Sequence, residues 1–366
     1  MNTKHPSWKE LTLLLTVVLT ATHFSAVAQE VNQLLLKDYR PVSIYKIPVT
    51  QVNKAAFPVT DMHSHDYAQT AQDVEQWVKN MDACGIEKTI ILSGKTGAQF
   101  DSTLHKYAPY GDRFEVWCGF DYTDFDKPGY GPAAVKELER CYKMGARGVG
   151  ELSDKGLGAH YSDLHKDKGM HFDDPRMKPL YAKCAELHMP INVHLADPIW
   201  MYEPMDETND GLMNAQIWRI DQSKPGIYGF DALIQTLENT VKENPKTTFI
   251  ACHFANLNHD MDQLGKLLDK YPNLYADISA RYAESATIPR AMKSFYEQYQ
   301  DRLLYGTDMG YDSPMYRITF RVLESNDEHF YETGLFHYHW ALNGFGLGKE
   351  VLNKLYHTNA TLLLKN

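Results

Sequence analysis

Cysteine is scarce in this chain, positive charge is in deficit, and long apolar runs are missing from most of its length. The five cysteines among 366 residues stand at positions 84, 118, 141, 184 and 252. They are odd in number, widely spaced and free of any CxxC pair, which argues against a disulfide framework or a zinc knuckle and leaves buried thiols as the expectation. Lysine and arginine total 37 against 47 aspartates and glutamates, a net charge of −10, and such acidity disfavours nucleic acid as a partner. Beyond the first thirty residues no apolar run reaches transmembrane length.

The chain does have enough apolar residues, 43% hydrophobic and 12% aromatic, to bury a large core. Its length suits one α/β barrel domain. At the N-terminus, Lys4 and Lys9 precede an apolar run over 11–20, which gives way to Ala26-Val27-Ala28 before Gln29. That is a secretory signal layout with cleavage expected after Ala28. The apolar core of this segment, roughly ten residues, is half of the ~20 needed to span a bilayer. No cysteine follows it at a lipoprotein position, so a soluble exported product, periplasmic or secreted, is expected. Cleavage removes Lys4, Lys9 and Glu10 and leaves the mature chain one charge more negative. Residues 29–56 read as an N-terminal extension on the outside, and 57–366 as the barrel.

From residue 57 onward short apolar runs alternate with amphipathic stretches, the pattern of repeated β-α units around a parallel sheet. The strands are expected at 59–65, 88–93, 114–120, 148–152, 191–195, 248–254, 274–279 and 303–307. Helices are expected at 71–83, 132–144, 175–188, 231–243 and 260–270, where apolar residues recur at three-to-four spacing. Gly85, Gly145, Pro190, Pro245 and Pro272 stand where those helices should stop. Two stretches break the rhythm, 197–229 and 310–349, both rich in aromatic residues. As long loops after strands they are expected over the barrel mouth.

The strongest local feature is Asp61-Met62-His63-Ser64-His65, because the side chains at i and i+2 of a strand share a face. A rival His-x-His pair stands at His337 and His339, without strand context, and reads as surface or lid. What distinguishes the first pair is its company. Ile191-Asn192-Val193-His194 and Phe249-Ile250-Ala251-Cys252-His253 each end an apolar run with histidine, and Leu303-Leu304-Tyr305-Gly306-Thr307-Asp308 ends one with aspartate. A single histidine in such a run is ordinarily a hydrogen-bonded core residue. In an eight-stranded barrel, however, the C-terminal strand ends point at one central place, so the set reads as a site.

The order of these motifs, together with the closing segment from Leu352 to Ala360, resembles the amidohydrolase superfamily, in particular its amidohydrolase-related branch of hydrolases, lactonases and decarboxylases. The resemblance spans about 57–365 and implies a (β/α)8 TIM barrel. It implies that His63, His65 and His194 are metal ligands, that Asp308 lies near the metal and the attacking water, and that His253 is a second-metal ligand or an electrophilic partner. Glu151, at the end of the fourth strand, stands where two-metal members place a bridging carboxylate, with a salt bridge to a loop cation as the plainer account.

Imidazoles and carboxylates suit zinc, with manganese or another transition metal as an alternative, in one or two ions. Such a metal brings the pKa of a bound water from about 15.7 to about 7. Asp308 can then take the water's proton and return it to the leaving group.

Weaker candidates surround this set. Arg281 either grips a substrate carboxylate by two hydrogen bonds or pairs with Asp277 or Glu284. Trp200, Tyr202 and Trp218 form an aromatic wall for a substrate or simply pack a lid. Asp197 orients a ligand. The leading expectation is hydrolysis of an ester, lactone or amide of a small molecule. The alternative is a metal-dependent, non-oxidative decarboxylase or hydratase of the same branch, and a third reading is a binding barrel without catalysis. No membrane partner is expected after cleavage, and a homo-oligomer is compatible with everything above.

Overall fold

The computed structural model describes residues 31–156, 170–220, 222 and 226–365, so the expected signal segment lies outside the described residues. Among the described residues no helix is long and apolar enough to cross a membrane. The residues up to Arg40 form a unit of their own, whose described part holds the 3-10 turns Val31–Gln33 and Leu36–Asp38.

Among its described residues the second unit, Pro41–Asn366, carries eight strands: β1 Val59–Ser64, β2 Ile86–Leu92, β3 Phe114–Trp117, β4 Val149–Asp154, β5 Ile191–Leu195, β6 Phe249–Ala251, β7 Leu274–Asp277 and β8 Leu303–Leu304. Each falls where apolar runs mark one in the sequence. β1 to β3 form one sheet and β4 to β8 another, each in sequence order and with all pairs parallel. Backbone hydrogen bonds join the sheets at both edges. Cys118 and Gly150 connect β3 to β4, with Gly150 N–H donating to Cys118 O at 2.8 Å, and Met62 N–H donates to Tyr305 O at 2.9 Å between β1 and β8. The strands therefore run in a ring, a TIM barrel.

Alternation along the strands sorts the apolar residues into two layers. Phe249 and Ala251 of β6, and Leu303 and Tyr305 around β8, pack outward in the main core with the helices. Ile250 and Leu304 between them pack inward with Met62, Ile90, Leu92 and Trp117, and Ala360 and Leu363 of the last helix close this inner plug. Each such buried aliphatic side chain contributes about 1.5–3 kcal/mol.

The expected helices are present as Ala71–Cys84, Tyr130–Met144, Lys178–Glu186, Phe230–Glu243 and Met261–Lys270. The first is bounded by local chemistry. Thr70 and Asp73 form a capping box at its start, and Gly85 ends it at φ 86°, a left-handed position where a Cβ is unfavourable. Residues 310–349 are not simply a mouth loop, because they begin with the helix Ser313–Glu324, which buries Tyr316, Phe320 and Val322 among others. Its outer face carries Pro314, Arg317, Arg321 and Glu324 at three-to-four spacing, an amphipathic pattern present in the sequence. Residues 197–229 contain the turn Ile199–Met201 and the short helix Leu212–Trp218. The two insertions meet, with the Trp200 and Trp340 rings 5.9 Å apart. Residues 41–56 run along the outside, held by Thr50 N–H to Asp327 at 2.8 Å and Ala56 N–H to Glu324 at 3.1 Å.

Candidate metal centre

The polar residues gather at the C-terminal ends of the strands. His63 is fully buried. Its Nδ1 lies 2.9 Å from Asp277 Oδ2 at the end of β7, while its buried Nε2 has no hydrogen-bond partner. An ionised carboxylate only accepts, so the neutral ring keeps its hydrogen on Nδ1 and presents a lone pair from Nε2. His65 and His253 are held the same way. His65 Nδ1 meets the Leu92 carbonyl at 3.1 Å, and His253 Nδ1 meets the Ser279 carbonyl at 2.8 Å. Their Nε2 atoms face Asp308, at 2.9 Å from Oδ1 for His65 and 3.6 Å from Oδ2 for His253. His194 is turned the other way, with Nε2 toward Asp197 at 3.3 Å and Nδ1 toward Glu151 at 2.8 Å.

Glu151 is the carboxylate common to all four imidazoles, at 3.6 Å from His63, 3.7 Å from His65, 2.8 Å from His194 and 3.6 Å from His253. Among the described residues, two sets of potential ligand atoms each lie within 4.8 Å of one another: His63, Glu151, Cys252 and His253, and His63, His65 and Asp308. His63 belongs to both. His194 belongs to neither and reaches the centre through Glu151.

The backbone explains why neighbouring residues share the centre. Alternation past Ala251 would send Cys252 and His253 to opposite faces, but His253 through Asn256 adopt φ near 56°. These left-handed residues cost of order 1 kcal/mol or more each and recur where function demands an unusual path. Asp308 is likewise at φ 56°. Two positions before it, a Cβ on Gly306 would stand 2.6 Å from the Cβ of His63, so the chain leaving β8 passes His63 this closely only because glycine is there.

The charges are strongly coupled. Burial alone would lower His63, yet the carboxylates of Asp277, Asp308 and Glu151 push it up to about 10. Burial also opposes, and Glu151 and Asp197 overcome, in raising His194 to about 9. Against burial, His63 and His65 hold Asp308 down to about 2, and the histidines hold Glu151 well below the usual range. His253 moves down, through burial and the charge of His194. Protons thus balance the carboxylates here, and a divalent cation would release them. The orphaned His63 Nε2 and the mixed N/O donor set fit such a cation.

Of the weaker candidates, Asp197 does hold His194, and it is itself bonded by Tyr202 Oη, which accepts its N–H at 3.2 Å. Arg281 does not pair with Asp277. Its Nε and NH2 donate to Asn256 Oδ1 at 3.0 and 2.6 Å, and Glu284 lies 3.6 Å from NH1. NH1 also donates to the Ala280 carbonyl at 3.1 Å, so each guanidinium nitrogen already has a protein partner, and the pairing with Glu284 that the sequence offered is present. Trp218 is 59% exposed, which argues against a place in an aromatic wall. His337 is exposed, and neither it nor His339 joins a ligand group among the described residues. Sequence reasoning missed Asp277 as the hub that bonds His63, the His253 N–H at 3.0 Å and Ser279 Oγ at 2.6 Å. The alternation Asp277-Ile278-Ser279 was the available signal. It also missed Tyr67, whose hydroxyl donates to Asp308 O at 2.9 Å, and gave Cys252 only a packing role.

Ring topology and ligand-type side chains at the strand ends define a TIM-barrel enzyme class that works with a divalent metal. The chain belongs to the Amidohydrolase family, which matches residues 23–365. No curated protein matches it in sequence. Among solved structures it is similar to a 2,6-dihydroxybenzoate decarboxylase from Rhizobium, at 16% identity and TM-score 0.53 over 84% of this chain and 99% of that one. It is also similar to a dihydroxybenzoic acid decarboxylase from a Polaromonas species with bound manganese and the inhibitor 2-nitroresorcinol, at 14% identity and TM-score 0.54 over 84% and 97%. A TIM-barrel protein from Bordetella bronchiseptica is similar at 16% identity and TM-score 0.52, over 84% and 99%.

Proposed function

We propose that this chain is a metal-dependent lyase that removes carbon dioxide, without oxidation, from a small carboxylated aromatic molecule. The observation that carries the reading is Arg281, a nearly buried cation whose charge is felt at His253, set beside a ligand cluster built around Asp308. A carboxylated substrate would lie between the two. Trp340, stacked on Tyr338 at 4.1 Å, and Trp200 beyond it offer flat apolar surface for a ring. The likeness to dihydroxybenzoate decarboxylases supports this reading above the expected hydrolysis.

His63, His65, His253, Glu151 and Asp308 would hold the cation, with His194 steadied by Asp197. When bound, it supplies a Lewis-acid hold on substrate oxygens. Asp308 is placed to hold and return a proton, since its Oδ1 faces His65 at 2.9 Å and accepts from the Tyr67 hydroxyl at 3.4 Å. The ring carbon bearing the carboxylate takes up one proton, the carbon–carbon bond breaks, and its electron pair stays with the ring as carbon dioxide leaves. Segment 1–28 is proposed to be removed on export, leaving Gln29 first.

The test is carbon dioxide release from 2,6-dihydroxybenzoate and related hydroxybenzoates by full-length protein loaded with manganese or zinc. Release abolished by chelation supports the reading. Release that survives chelation overturns it, as does cleavage of lactones or esters with no release from any carboxylated ring. Hydrolysis is kept as a second reading on one observation, the reach of Glu151 to four imidazoles, which suits a carboxylate bridging two cations. Two metals per chain would favour it.

A further inference from the structure

Cys252 is the residue that the reading so far leaves with nothing to do. It is fully buried, and its Sγ belongs to the group in which ligand atoms of His63, Glu151 and His253 also lie within 4.8 Å of one another. The left-handed turn that begins at His253 brings both neighbours to the same place. A thiol alone would mean little, since small buried thiols are common core residues. The second observation is the His63 Nε2, fully buried, without a hydrogen-bond partner and bounded by this group.

The spacing also suits a small cation. Ligands about 2.0–2.3 Å from a tetrahedral zinc stand roughly 3.3–3.8 Å from one another. His63 Nε2 and His253 Nε2 are each 3.6 Å from Glu151 Oε1. Two donor–donor distances are thus already in the range that a bound zinc ion needs.

Resting on the metal-dependent reading above, we propose that Cys252 Sγ is a further ligand of that cation beside His63, Glu151 and His253, so that one sulfur among the nitrogen and oxygen donors selects thiophilic cations such as zinc or cobalt over manganese. Soft thiolate favours those ions, whereas carboxylate and imidazole alone accept manganese readily. In the metal-free site the thiol donates to Asn192 Oδ1 at 2.7 Å. On ligation the S–H bond gives up its proton to solvent, the sulfur lone pair goes to the cation, and the bond to Asn192 is lost. The competition is therefore between one amide acceptor and one divalent ion.

The experiment uses the full-length chain loaded with zinc alone and, separately, with cobalt alone. X-ray absorption at the zinc edge should show a sulfur neighbour at about 2.3 Å beside nitrogen and oxygen at about 2.0–2.2 Å. The cobalt form should show a thiolate charge-transfer band at wavelengths beyond the protein's own aromatic absorption. C252S should lose both signals while C184A keeps them, and its retained zinc-to-manganese ratio in mixed-metal dialysis should fall. If C252S does not fold, the absorption spectrum of the unaltered protein still decides. A shell of nitrogen and oxygen only overturns this assignment and leaves the proposed activity standing. Failure to retain any divalent metal overturns both.

Discussion

The barrel interior changes character over one or two residues of the same strands. The inner plug of Ile90, Leu92, Trp117, Ile250 and Leu304 is wholly apolar and sealed by Leu363. Just beyond it, at the strand ends, stand His63, Glu151, His253, Asp277 and Asp308, buried or nearly so and bonded mainly to one another. The plug stabilises by removing area from water, and any apolar side chain of similar volume would serve. The mouth does the opposite: it keeps charges together at a desolvation cost, which makes sense only if something other than stability is gained.

This contrast can be broken at either end, and the largest effect is expected at the mouth. Asp308→Asn should lower turnover about 10²–10⁴-fold, the range for a lost proton-transfer group, with a smaller loss of thermal stability because its ion pairs with His63 and His65 go with the charge. Steady-state rates beside a melting curve check this, and an equal loss of stability would erase the distinction. In the plug, Leu304→Ala should cost about 2–5 kcal/mol in denaturant unfolding yet leave metal content per folded chain unchanged. Loss of metal in that variant would show that plug and mouth are not separable.

Asp277→Asn sits between the two. It keeps the volume but removes the charge that orients His63, so metal affinity should fall about 10–100-fold in competition with a chelator. An unaltered affinity would mean that Asp277 only braces the backbone of His253. The smallest effect is expected far from both regions, at Gly85→Ala. Forcing a Cβ into φ 86° at a helix end should cost about 1 kcal/mol, with rates and metal content unchanged.

Much of this was legible in the sequence. The strand positions were, because runs such as Ile191-Asn192-Val193 and Phe249-Ile250-Ala251 are short and β-rich between clear stops. His63 and His65 were legible as a pair because strand alternation is a local rule. Ser313–Glu324 was legible but not read: Pro314, Arg317, Arg321 and Glu324 mark a polar face at helical spacing opposite the buried Tyr316, Phe320 and Leu323, and the aromatic richness of 310–349 drew the reading to a loop instead. Arg281 was seen as a candidate, but its capture by Asn256 depends on a loop from another strand.

By itself, the sequence determined the barrel, its family resemblance and the identity of the residues at the strand ends, since apolar period and motif spacing are properties of neighbouring residues. Only the tertiary structure decided that Glu151 touches four imidazoles, that Asp277 fixes His63, and that Cys252 and His253 face the same centre. Those facts rest on left-handed turns and on approaches between strands far apart in the chain, such as Gly306 against the Cβ of His63, and no local pattern encodes them.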